Sequence, residues 1–175
     1  MIRELSKQIA AFALFSALAA ASAAQADDGF LKEFEGPWRG TGAVRTGADK
    51  PQDKLVCRVD GSVDTSGEAL ELSGRCGSEK FNGSFKIKLT YNPASGRYSA
   101  VWRDSLGSQS PPLTGLRSGN RLVFKVRHND FETDGRAVST LVVDPESSRF
   151  RIVGRTMPET GSSDFVSADL IFVRG

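Results

Sequence analysis

The chain has 175 residues, 23 Lys and Arg against 21 Asp and Glu, and 39% hydrophobic residues, which describes one globular domain of ordinary charge. Near-neutral balance argues against a dedicated nucleic-acid binder, whose phosphate contacts need a basic excess, and 18 Gly with seven Pro is neither collagen-like nor disordered composition. One His and two Cys leave little material for a metal cluster.

Residues 1–26 read as a secretory signal peptide. Arg3 and Lys7 give a basic start, an apolar stretch runs over 9–24, and Ala24-Gln25-Ala26 supplies a cleavage site before Asp27-Asp28. The apolar stretch falls short of the roughly 20 residues that span a bilayer. No Cys stands after the cleavage site, so a lipid anchor is not indicated. The reading is a soluble periplasmic or secreted product in which 27–175 form a single β-barrel domain.

A short helix is expected over 29–35 and a first strand over 38–45. The next two strands carry the cysteines. Residues 54–63 put Leu55, Cys57, Val59 and Val63 on one face; 69–76 put Leu70, Leu72 and Cys76 on one face. Asp64-Thr65-Ser66-Gly67-Glu68 lies between as a turn. With the tip at Ser66-Gly67, opposed residues have numbers that sum to 133, which holds for Cys57 with Cys76, for Val63 with Leu70 and for Gly61 with Leu72. Opposed Cα atoms lie within the reach of a disulfide, so Cys57 and Cys76 are expected to be bridged, in keeping with an oxidising compartment.

Strand patterns continue. Phe81, Phe85, Ile87, Leu89 and Tyr91 alternate with Asn82, Ser84, Lys86, Lys88 and Thr90. After Asn92-Pro93-Ala94-Ser95-Gly96, the segment 97–103 alternates Tyr98, Ala100 and Trp102 with polar residues. A short strand over 113–117 turns at Ser118-Gly119-Asn120 into 121–127, with Leu122, Phe124 and Val126 on one side. Further strands are read at 136–143, 149–155 and 164–174. The fold class is therefore all-β: about ten strands, no crossover helix, an antiparallel up-and-down meander closed into a barrel that leaves no edges. An outer-membrane barrel is disfavoured, because the non-apolar face carries Lys86, Lys88, Arg121, Lys125, Arg127, Arg149, Arg151 and Arg155, too many like charges for a snug lumen.

Glu35-Gly36-Pro37-Trp38-Arg39-Gly40-Thr41-Gly42 resembles the Gly-x-Trp signature of the lipocalins and their calycin relatives, and its Trp-x-Gly-x-Gly form is similar to the opening of nitrobindin-type haem barrels. In lipocalins that Trp lies under an Arg of the last strand at the closed end. The resemblance implies Trp38 and Arg174 as a barrel-end plug, with a cation–π contact between them.

Candidate sites follow from parity and motif. Phe85, Ile87, Tyr98, Trp102, Phe124 and Phe150 are the expected wall of an interior that holds a small apolar or amphipathic ligand. His128, which the nitrobindin resemblance would make a haem ligand, has no supporting motif and reads as a polar strand-end residue; no cofactor and no metal are expected. Asp130-Phe131-Glu132-Thr133-Asp134-Gly135 begins like a calcium loop, but its twelfth position is Leu141, which supplies no carboxylate. A Gly-x-Ser-x-Gly elbow is lacking, so catalytic residues are not assigned and the protein is not expected to be an enzyme. Arg121, Lys125, Arg127, Arg149, Arg151 and Arg155 form a basic strip that fits an anionic envelope surface. A rival reading is a solidly packed, non-enzymatic barrel that interacts through its outer surface.

Overall fold

The computed structural model describes residues 29–80, 82–129, 135–159 and 163–175. The proposed leader, Phe81 and the acidic residues 130–134 lie outside the described residues.

Ten strands follow one 3-10 turn, Leu31–Phe34. They are β1 (Gly36–Val44), β2 (Asp53–Val63), β3 (Ala69–Gly77), β4 (Asn82–Asn92), β5 (Arg97–Asp104), β6 (Leu113–Ser118), β7 (Arg121–Asn129), β8 (Arg136–Glu146), β9 (Arg149–Pro158) and β10 (Phe165–Arg174). Each pairs antiparallel with its neighbours in sequence, and β1 pairs with β10 to close the barrel. Trp38 stands opposite Arg174 and Gly42 opposite Leu170 across that seam. The expected helix over 29–35 is reduced to a single tight turn, because Gly36, at φ +94°, turns the chain into the first strand.

The hairpin register follows the turn chemistry. Cys57 faces Cys76, Gly61 faces Leu72 and Val63 faces Leu70, and the two cysteines are joined, with Cα atoms 4.1 Å apart. Asp64 holds the tip. Its Oδ1 accepts from the amides of Glu68 (3.0 Å) and Ala69 (3.1 Å), and its Oδ2 from the Ser66 hydroxyl (2.9 Å), an Asx-type arrangement that leaves few donors of the turn unpaired.

The interior is graded from one end to the other. At the end where β1 starts and β10 finishes, the 3-10 turn folds across the opening and buries Phe30, Leu31 and Phe34. Phe150 sits at the centre of an aromatic group there: 5.2 Å from Phe34, 4.8 Å from Trp38 and 4.5 Å from Phe172, ring centroid to centroid. Such contacts add about 0.5–1.5 kcal/mol each beyond the area they bury. Gly61 is required where the turn rests on β2, since a Cβ there would overlap the Phe34 carbonyl.

Elsewhere in the wall, rings lie over cross-strand glycines. Phe172 covers Gly40, Phe124 covers Gly115, and Phe85 covers Gly74; each pair is directly opposed in the ladder.

Candidate functional site: the barrel interior away from the plug

The plugged end is closed by polar as well as apolar contacts. The Arg174 guanidinium lies 4.5 Å from the centre of the Trp38 ring and donates from Nη1 to the Glu35 carbonyl (2.8 Å) and from Nη2 to the Glu33 carbonyl (3.3 Å). Trp38 Nε1 donates to the Phe34 carbonyl at 2.9 Å. The C-terminal carbonyls of the 3-10 turn, which have no partners within it, are thus met by one cation and one indole. Arg117 lies over Phe30 on the opposite side, 4.6 Å from its ring centre.

The six residues expected to form the interior wall fall into two groups. Tyr98, Phe124 and Phe150 are buried in the core cluster beneath and beside the plug. Phe85 and Ile87 are half-buried, and Trp102, opposite Ile87 in the ladder, is 41% exposed although its parity points it inward. Leu72, Leu141, Ile152 and Leu170 share that inward parity and are likewise only partly buried, although they pack against the core. Trp102 lies beyond the last β5–β6 ladder pair, near the open end, whereas an inward side chain flanked by paired strands meets solvent through the lumen. The middle and far part of the lumen is therefore not filled as the plugged end is.

On β7, β8 and β9 the far end carries a polar row that no sequence motif marks. His128, Ser139 and Thr156 project to the same inner face as Phe124, Leu141 and Ile152. His128 Nε2 lies 2.8 Å from Ser139 Oγ, which lies 2.7 Å from Thr156 Oγ1. His128 Nδ1 lies 2.6 Å from the Asn129 carbonyl. A carbonyl only accepts, so Nδ1 carries the proton; in the neutral ring Nε2 then accepts from Ser139, and Ser139 accepts from Thr156. Thr156 is 4% exposed while His128 and Ser139 are half-buried, so this is a partly buried polar line in an otherwise apolar wall. Both nitrogens of His128 are engaged by protein groups, so an iron at Nε2 would have to displace the Ser139 hydroxyl. The sequence signal was available: period-two alternation on β7 continues through His128, placing it inside.

On the outer surface the basic strip is partly neutralised. Arg121 meets Asp144 (2.8 Å), Arg149 meets Glu146, and Arg151 meets both oxygens of Asp169 (2.8 and 2.6 Å). The Arg151 guanidinium holds the Asp169 carboxyl below the usual carboxylate range, chiefly by its hydrogen bond. Among the described residues, Lys125, Arg127 and Arg155 of the six have no such acidic partner.

No family model and no curated protein matches this chain. Solved structures do. One is the S-type phycobiliprotein lyase CPES from Guillardia theta, with a TM-score of 0.60 at 9% identity, covering 85% of this chain and 92% of that one. Another is Rv2717c from M. tuberculosis, with a TM-score of 0.56 at 12% identity, covering 83% and 94%. The chain shares with them the fold of a closed, antiparallel, lipocalin-like barrel. At such identities the likeness is one of architecture, and function must be argued from the site.

Proposed function

We propose that this protein is exported and binds or carries a small amphipathic molecule inside its barrel, without transforming it. One observation carries the reading: inward-facing apolar side chains of the mid-barrel, Leu72, Ile87, Ile152 and Leu170 among them, remain partly accessible. The apolar body of the ligand lies against Phe85, Ile87 and Trp102. Tyr98, Phe124 and Phe150 form the packed floor beneath it, and the plug of Trp38 and Arg174 seals that floor. The head of the ligand meets the row His128–Ser139–Thr156, which offers both donors and acceptors. A phycobiliprotein lyase with this fold supports small-molecule handling by such a barrel.

Binding rather than catalysis is favoured by what surrounds Ser139. A hydroxyl donating to an oriented imidazole resembles an activated nucleophile. However, β8 is paired on both sides, with β7 and with β9, so the backbone N–H groups around Ser139 are taken up by the ladders and none is left to hold an oxyanion. Export is supported by the leader pattern of residues 1–26 and by the Cys57–Cys76 bridge. Among the described residues no helix is long and apolar enough to cross a membrane.

The test uses two variants and two ligands. Ile87→Trp fills the lumen and is expected to abolish uptake of N-phenyl-1-naphthylamine while the barrel stays folded. Ser139→Val is expected to leave that probe unaffected and to weaken a long-chain fatty acid about tenfold, the worth of one or two hydrogen bonds. If the parent protein takes up neither ligand, and native mass spectrometry of protein from its own cell finds nothing bound, the interior is solid and the carrier reading fails.

A further inference from the structure

Three arginines on the outer face stand in one row. Arg39 of β1 is directly opposite Arg58 of β2, and Arg58 is directly opposite Arg75 of β3. All three are exposed. Like charges placed directly opposite one another across a ladder destabilise it, and the usual remedy, a carboxylate between them, is absent. Among the described residues no ion pair joins any of the three to Asp or Glu; Asp60, two positions from Arg58 on the same face, bonds to none of them, and Arg75 reaches only the Asn82 amide at 3.4 Å. This differs from β7 and β9, where Arg121, Arg149 and Arg151 each have an acidic partner; Arg149 and Arg151 stand directly opposite Val173 and Ile171 of β10.

A second observation tells what meets the row. The adjacent row of the same outer face is aliphatic: Val56 pairs with Thr41, and Thr41 with Ile171, while Val173 extends the arginine row opposite Arg39. Val56 is 66% exposed, Val173 47% and Ile171 40%. On β2 and β3 a shallow groove is bordered by Lys54, Val56, Arg58, Arg75, Glu79 and Asn82, three cations against one carboxylate that pairs with none of the three arginines. A soluble polyanion would complement the arginines and leave the aliphatic row in water. A bilayer surface complements both, because guanidinium forks take phosphate oxygens while Val and Ile enter the interfacial layer.

We infer that the outer face of β10–β1–β2–β3 docks on an anionic lipid bilayer, with Arg39, Arg58 and Arg75 on lipid phosphates and Val56, Ile171 and Val173 against the acyl boundary. The inference is independent of whether the lumen holds a ligand, since none of these side chains points inward.

Co-sedimentation of the protein, as it accumulates in its cell, with phosphatidylglycerol-containing phosphatidylcholine vesicles tests it. An arginine near an anionic surface is worth about fivefold in binding, so Arg39→Gln/Arg58→Gln/Arg75→Gln is expected to weaken binding roughly a hundredfold. Lys125→Gln/Arg127→Gln/Arg155→Gln removes equal charge from β7 and β9, outside the docking face, and should change binding by less than about threefold. Removing opposed like charges should leave the melting temperature unchanged or raise it, and Val56→Asp gives a single-site variant that weakens binding while retaining every arginine. The inference is overturned if the parent protein ignores these vesicles or binds pure phosphatidylcholine equally well. It is also overturned if both triple variants lose binding alike, or if Val56→Asp has no effect and soluble polyphosphate is bound in place of the vesicles.

Discussion

Asp64 shows how one side chain sets a hairpin. Amide hydrogen bonds, that of Ala69 first, and the Ser66 hydroxyl hold its carboxyl below the usual carboxylate range. A depressed carboxyl contributes stability that is present above its unfolded pKa and is lost as pH falls through the folded value, which places the loss below about pH 4. Glu71 is lowered in the same direction by Lys86 across the β3–β4 ladder, so acid loosens more than one contact and a comparison must isolate Asp64. Urea unfolding of the parent and of Asp64→Ala is therefore expected to differ at neutral pH and to converge as the pH drops below about 4. A difference that persists undiminished at lower pH would show that the carboxylate charge is not what holds the turn.

At the scale of elements, the 3-10 turn is the part most dependent on one contact surface. Four residues cannot stabilise themselves; they are held by Gly61 beneath, Phe150 beside and Arg174 above. Gly61→Ala sets a methyl group against the Phe34 carbonyl, which is backbone and yields only if the whole turn shifts. The expected loss is about 1–3 kcal/mol, in the range of overpacked sites, with a changed near-ultraviolet signal from Trp38. A conservative change at Gly83, where an added Cβ meets nothing, is the control. Equal effects at both positions would mean that the turn is not seated as described.

For the molecule as a whole, the disulfide acts on the unfolded chain more than on the folded one. Cys57 and Cys76 are 19 residues apart and already opposed by the ladder, so the bridge adds little to a register that the turn sets. Its gain comes from removing loop-closure entropy in the denatured state, about 3 kcal/mol for a loop of this size. Reduced protein, or Cys57→Ala/Cys76→Ala, is expected to unfold at lower urea by that amount while keeping its barrel; an unfolded, unreduced sample should titrate no thiol. Loss of all β structure on reduction would contradict this division of labour.

Much of the architecture was legible because a strand's period of two is a local property: alternation from Phe85 to Tyr91, or from Leu122 to His128, assigns side chains to faces before any partner is known. The register of β2 on β3 was legible for the same reason, since a five-residue turn around Ser66-Gly67 sets it. The plug pair of Trp38 and Arg174 was readable only through resemblance to other barrels, as no local rule links residues at opposite ends of a chain. Tertiary structure alone decided the rest. Parity gave Phe85, Ile87, Tyr98, Trp102, Phe124 and Phe150 one face in common, but how deep each lies depends on the plug and on the glycines that rings cover. The alignment of Arg39, Arg58 and Arg75, and the capture of Arg121, Arg149 and Arg151 by Asp144, Glu146 and Asp169, depend on the stagger between strands. A one-residue change in stagger exchanges inner and outer faces, and a two-residue change exchanges partners, so charge pairing is settled only when the barrel closes.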